Sequence, residues 1–188
     1  MSENYINFFQ DVDQTILNSF GRIQSIKLKI IGFAALCLSG LPDRGTKDID
    51  VMEMDALAGS KRSNILAFIS KEFGKKSPGL FRHGMYLDIV SKSIVWLPPK
   101  PRFESYKKFE TVEIFLLDPT DVCITKVFSY FKSTVRRAND REDIIDALDK
   151  KLITCARFVR RISETFPVYE THAEAPEVFP KVIHFLNE

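Results

Sequence analysis

Apolar side chains recur between residues 4 and 21 at Ile6, Phe9, Val12, Ile16, Leu17 and Phe20. Gaps of three, four and one belong to a helix with one buried stripe, and Gly21 is a natural stop. The next segment, KLKIIGF at 27–33, is short and β-branched at its centre, which predicts a first strand. AALCLSG then predicts a short helix closed by Gly40. Beyond the loop LPDRGTK, the run DIDVME predicts a second strand, and KRSNILAFISKEF at 61–73 returns to helical spacing.

Turn-rich KKSPGLFRHG separates that helix from MYLDIV and KSIVWL, two β-rich runs that fit a hairpin. PPKPRF breaks the second run, and TVEIFLLD at 111–118 predicts a further strand. After Pro119 the texture turns helical, through PTDVCITKVFSYFKST, NDREDIIDALDKK and ITCARFVRRISETF. The chain resumes after Pro167 and predicts a last short helix over 176–187, opening on Pro176. No internal repeat or low-complexity tract interrupts this order. It predicts an α/β (α+β) fold: a small mixed sheet with flanking helices over 1–118, and an α-helical C-terminal part over 119–188.

Composition narrows the class without naming a partner. The 188 residues are 45% hydrophobic and 28% charged, with 16 phenylalanines, values that favour a packed globular core over disorder. A formal charge of +2 is too small to imply nucleic acid by itself. No apolar run reaches the roughly 18–20 residues of a membrane span. The start, MSENYINFFQDVDQ, has neither the basic beginning nor the cleavage site of a secretory signal, so a cytoplasmic protein without membrane contact is expected. Cys37, Cys123 and Cys155 sit among apolar or small neighbours and are expected to be buried thiols in a reducing compartment. His83, His172 and His184 show no ligand spacing with them, which argues against zinc.

The chemistry concentrates around Asp48 and Asp50. Residues i and i+2 of a strand share a face, so both carboxylates look one way while Ile49 and Val51 look into the core. Asp88, between Leu87 and Ile89 in YLDIV, is a third carboxylate in the same kind of setting. If the two strands are neighbours the three converge. Such a cluster repels itself unless cations neutralise it, and hard oxygen ligands suit magnesium or manganese. The plain alternative is that these aspartates only cap and pair. Gly32 lies between a predicted strand and a predicted short helix, where backbone N–H groups can hold a phosphate. Arg44 and Lys47, just upstream of the pair, are placed to meet a polyphosphate.

Gly32-Phe33-Ala34-Ala35-Leu36 followed by Arg44-Gly45-Thr46-Lys47-Asp48-Ile49-Asp50 resembles the signature of the polymerase-β-type nucleotidyltransferase superfamily. The pattern is most similar to its minimal bacterial branch, which includes AbiEii-type toxins. Asp88, Lys126 in DVCITKVFSYF, and the Arg137, Asp140 and Asp143 of R-x-x-D-x-x-D extend the resemblance over roughly 25 to 150. It implies that Asp48, Asp50 and Asp88 ligate magnesium and that Asp88 also serves as a base. Gly32 and the following amides, including that of Phe33, would cradle the β- and γ-phosphates. Lys126 would reach the nucleotide, and Asp143 would orient Lys126 or Arg137.

The implied reaction moves a nucleoside monophosphate from a nucleoside triphosphate to a hydroxyl of a tRNA end, a protein or a small molecule, with a toxin–antitoxin role by analogy. Phe33 departs from the pattern, because the family usually carries glycine or serine there. That departure keeps a second reading in view, a binding module, antitoxin or regulatory subunit with the fold and no turnover.

Other features have simpler readings. Lys126 also fits a lysine that snorkels from an amphipathic helix beside Ile124, Val127, Phe128 and Phe131. Arg136, Arg137 and Arg141 with Asp140, Glu142 and Asp143 fit a solvated helix start capped by Asn139. Arg157, Arg160 and Arg161, near Lys150 and Lys151, fit a solvated basic face more simply than an RNA contact. Trp96, Phe8, Phe9, Phe128 and Phe131 are expected to pack in the core.

Overall fold

The computed structural model describes residues 2–52, 60–77, 84–90, 96–132 and 138–169. The chain divides into two compact units, Met1–Val95 with Phe103–Leu117, and Trp96–Arg102 with Asp118–Glu188. The fold is mixed α/β, as the order of periodicities predicts.

The first unit opens with helix α1 (Ser2–Phe20). Its buried stripe is Tyr5, Phe8, Phe9, Val12 and Ile16, one residue off the expected start, with Phe20 at the rim. Burying each of the large apolar side chains stabilises the unit by roughly 1.5–3 kcal/mol. Strand β1 (Ile26–Ile30) leads into the short helix α2 (Gly32–Leu38), then strand β2 (Asp48–Met52) and helix α3 (Ser60–Phe73). Strands β3 (Tyr86–Val90), β4 (Phe103–Lys108) and β5 (Val112–Leu117) complete a five-stranded sheet in the order β3-β2-β1-β5-β4. β1 runs parallel to β5 and antiparallel to β2, β2 parallel to β3, and β4 antiparallel to β5.

Register sorts the sheet into two faces. Ile26, Leu28 and Ile30 align with Val112, Ile114 and Leu116, and Ile49 and Val51 extend the same buried layer. Helices α1, α2 and α3 touch β5, β2 and β3 respectively, and Phe8 packs edge-on to Phe73 at 5.9 Å. The other face carries Lys27, Lys29, Glu113 and Phe115 alongside the three aspartates. At the start of β5, buried Asp13 accepts from the backbone N–H of Thr111 and Val112 at 2.6 and 2.9 Å and from the Thr111 hydroxyl at 2.8 Å. A carboxylate from α1 thus supplies what that strand end lacks in backbone partners.

The second unit packs α5 (Ala138–Asp149) and α6 (Cys155–Tyr169) on α4 (Pro119–Lys132). Trp96 lies on Phe128, ring centroids 4.9 Å apart, in keeping with a packing role. The basic side of α6 is not simply solvated. Arg157 pairs with buried Asp118, and Arg161 donates to buried Asp121 at 2.7 Å and to the carbonyl of Pro99 at 2.9 Å. Arg160 alone of the three fits the expected outer face, exposed and 3.7 Å from Glu164. Arg102 adds its backbone N–H to Asp121 at 2.9 Å, so these acids tie residues 96–102 to the helices.

Several expectations need correction. β4, FESYKK, was not expected: its burial alternation is broken by a register shift between Ser105 and Lys107, and edge strands tolerate such polar composition. β3 pairs with β2 in parallel; residues 92–95 of the expected hairpin partner lie outside the described residues, and Trp96 and Leu97 are not in a strand. α6 continues through Pro167 to Tyr169, past the break that proline suggests. The short helix expected over 176–187 lies outside the described residues. Asn139 is inside α5, one residue past its start, so it is not the cap. Cys123 is buried, but Cys37 is half-buried and Cys155, opening α6, is exposed.

Candidate functional site

The parallel pairing of β2 and β3 sets Asp50 directly opposite Asp88, with Asp48 two residues back opposite Tyr86. The three carboxylates therefore share one face, as the strand spacing predicts. Ile49, Val51 and Leu87 anchor both strands from behind, at 0%, 1% and 2% exposure. Asp48 and Asp88 stand in water and Asp50 is half-buried. Among the described residues no three acidic, histidine or cysteine side chains close into a ready metal cage. The face brings the carboxylates together in register and leaves them apart as ligands. Their chemistry nevertheless fits a hard divalent cation, because carboxylate oxygens are the donors such ions prefer.

Gly32 is built into this face. Its φ of +67° lies in the left-handed region, and a Cβ there would meet Asp50 Oδ2 at 2.6 Å. Only glycine lets the backbone come so near that carboxylate. The Ile31 N–H donates to the Asp50 carbonyl at 3.0 Å, which fixes the turn against β2. Ile31 has no side-chain group to cap α2.

The loop before β2 is ordered by its own side chains. Asp43 Oδ1 accepts from the N–H groups of Gly45 and Thr46 at 2.9 and 3.2 Å, and Thr46 Oγ1 donates to Asp48 Oδ1 at 3.0 Å. Arg44 lies over the ring of Phe33, its guanidinium carbon 4.3 Å from the centroid. Lys47 is exposed, and its carbonyl accepts from the Tyr86 N–H at 2.8 Å, registering β2 on β3.

Lys126 belongs to the other unit and is not a snorkelling lysine. It is 9% exposed, with Nζ 2.9 Å from Asp140 Oδ1 and 2.7 Å from Asp143 Oδ2. Burial pulls its pKa down, but the two carboxylates outweigh burial and hold it above the ordinary lysine value. Asp143 is thus beside Lys126, one of the two partners expected for it; Arg137, the other, lies outside the described residues. Cys123, in the same helix, has its thiol pKa pushed up to about 12 by burial, helped by Asp143 and opposed by Lys126.

Sequence reasoning passed over three contributors. Thr46 and Asp43 carry a local signal, a hydroxyl and an acid at turn spacing ahead of D-x-D. Tyr5 carries none, since α1 is remote in sequence. Its hydroxyl is buried beside Cys37 without a hydrogen bond of good geometry. Burial first, then Cys37, Asp43 and Asp48, raise its pKa.

The acids face one another across the edge strand β3 and its neighbour β2, with a glycine turn against Asp50. The family model described as "Nucleotidyltransferase of unknown function (DUF6036)" matches residues 7–172, and the chain belongs to that family. This supports the nucleotidyltransferase class broadly, and with it a nucleoside triphosphate as substrate. No curated protein and no solved structure matches. No described helix is long and apolar enough to cross a membrane.

Proposed function

We propose that the chain is a metal-dependent nucleotidyltransferase that moves a nucleoside monophosphate from a nucleoside triphosphate to a hydroxyl acceptor. The observation that carries this is the Asp50–Asp88 register across β2 and β3, with Asp48 on the same face. Asp48, Asp50 and Asp88 would hold magnesium or manganese, which supplies charge neutralisation for the polyphosphate and the leaving group. Asp88, exposed at the sheet edge, accepts the proton of the attacking hydroxyl. The new bond joins the acceptor oxygen to the α-phosphorus. The α–β bond breaks, and pyrophosphate leaves with its electron pair. Gly32 lets the backbone approach beside Asp50, and Arg44 and Lys47 face the polyphosphate.

In the helical unit, Asp143 and Asp140 fix the charge of Lys126, the lysine that the resemblance gives to the nucleotide. The acceptor hydroxyl belongs to an RNA, a protein or a small molecule, and a toxin–antitoxin setting follows only by analogy with AbiEii-type toxins. A non-catalytic nucleotide-binding module is the second reading, favoured by Phe33 where the family usually has glycine or serine.

Thermal unfolding with each nucleoside triphosphate, with and without magnesium or manganese, tests binding. At about 100 times the dissociation constant a ligand adds roughly 2.7 kcal/mol of stability. The shift should require the metal and vanish in Asp48→Asn/Asp50→Asn. Release of pyrophosphate then separates enzyme from module. No shift with any triphosphate would end both readings.

A further inference from the structure

We infer that Phe33 is a platform that fixes Arg44 as the polyphosphate grip of this site, replacing the contact that glycine or serine makes in the wider family. The inference rests on the nucleotidyltransferase reading and deepens it.

The first support is the stack itself. A guanidinium carbon 4.3 Å from a ring centroid is well inside the range at which a cation is attracted to an aromatic face. Phe33 is half-buried at the first turn of α2, immediately after Gly32, while Arg44 is exposed. The guanidinium is a planar fork of N–H groups, and its contact with the ring restricts where that fork can lie. Those groups match the oxygens of a phosphate in a way a single serine hydroxyl does not.

The second support is how the arginine is tethered. Asp43 bonds the N–H groups of Gly45 and Thr46, on the residues that follow Arg44. Thr46 in turn bonds Asp48 at 3.0 Å. The backbone that carries Arg44 is therefore tied to a carboxylate of the candidate metal face, and its side chain is tied to the residue beside Gly32. Gly32 itself is held against Asp50, where any Cβ would meet Oδ2 at 2.6 Å. Ring, guanidinium, turn and carboxylates form one connected device.

The third support is charge. Three carboxylates on one face repel a triphosphate, and a cation fixed beside them lowers that penalty without having to be ordered when the ligand arrives. On this account Phe33 preorganises Arg44 and does not narrow the site. Arg44 touches the ligand, and Phe33 is a positioning residue acting through it.

Calorimetric titration of the full chain with each magnesium–nucleoside triphosphate tests this. Phe33→Ser, the residue type the family usually carries, should weaken binding about five- to tenfold, and Phe33→Leu similarly. Phe33→Tyr, which keeps the ring, should bind like the unsubstituted chain; this aliphatic–aromatic contrast decides the matter even if Phe33→Ser fails to fold. Arg44→Ala should cost about as much as Phe33→Ser. The double variant should be no worse than Arg44→Ala alone, because the two act as one.

Binding unchanged or tightened in Phe33→Ser, or losses that multiply in the double variant, would overturn the inference while leaving the site intact. Absence of binding to the unsubstituted chain, or binding that survives Asp50→Asn, would instead bring down the nucleotidyltransferase reading and this inference with it.

Discussion

Two sets of aspartates, one in each unit, sit in opposite settings. In the helical unit Asp118, Asp121, Asp140 and Asp143 are buried and answered by Arg102, Arg157, Arg161 and Lys126. In the sheet unit Asp48 and Asp88 stand in water on the face they share with half-buried Asp50, and the side chain found bonding Asp48 is a neutral threonine. A buried acid with a cation is a structural element whose removal leaves an uncompensated charge. Like charges directly opposite across two strands, as Asp50 and Asp88 are, repel one another. The contrast sets the aspartates that hold the helical unit together apart from those the proposed function uses.

The sharpest test of that division is to neutralise one residue of each kind. Asp88→Asn should lower pyrophosphate release at least about a hundredfold, the usual range for losing a positioned base. Its urea midpoint should stay near that of the unsubstituted chain or rise slightly as repulsion with Asp50 is relieved. An Asp88→Asn variant that unfolds easily would mean the outer face is structural after all.

Lys126→Met should do the reverse. It strands Asp140 and Asp143 in the interior, and breaking such a buried arrangement costs about 3–5 kcal/mol. Urea denaturation of Lys126→Met, and of the same variant carrying Asp140→Asn and Asp143→Asn, should show a large loss followed by partial recovery. If Lys126→Met loses nothing, the buried triad contributes no stability and Lys126 is kept for the nucleotide alone.

Much of this contrast was legible in the sequence, and the part that was not has a physical reason. Strand alternation around Asp48, Asp50 and Asp88 predicts a shared face, because period two leaves those side chains no other side to occupy. Local patterning around the lysine and arginines of the helical unit gave no comparable signal, and only the family resemblance linked Asp143 to Lys126. Lys126 sits off the centre of an apolar stripe, and only the arrival of α5, with Asp140 and Asp143 three residues apart, turns it inward. Arg157 and Arg161 read as a solvated stripe because Asp118 and Asp121 lie some forty residues away. β4 was hidden for a related reason, as an edge strand answers to its neighbour and to solvent more than to its own pattern. Phe33 is a departure from the family pattern in sequence alone, and its contact with Arg44 exists only in the fold.

Gly32 offers a smaller effect that links the two kinds of test. Gly32→Ala forces a Cβ to within 2.6 Å of Asp50 Oδ2 at a φ of +67°. The left-handed conformation alone costs a substituted residue roughly 1–2 kcal/mol. The urea midpoint should fall by that order, and metal-dependent triphosphate binding should fall with it as Asp50 is displaced. A variant that loses stability but binds the triphosphate normally would detach the glycine turn from the site.

The mildest test is pH, and it probes the helical unit from within. The folded chain holds the proton of the Cys123 thiol up to about 12, against an ordinary value of 9.0. Between those values the unfolded chain binds fewer protons than the folded one, so stability is fully present below pH 9 and falls as pH rises through the window. Lys126, held protonated above its ordinary 10.5, adds a loss of the same sign further up. Tyr5, whose phenol is raised by burial, adds another in the sheet unit. Urea midpoints at pH 8 and pH 10 should therefore differ, and Cys123→Ala should reduce the difference. Because Lys126 and Tyr5 titrate higher, a gap of this size that survives Cys123→Ala would mean the thiol gains water before the unit unfolds, and that this part of the helical unit is less closed than its burial implies.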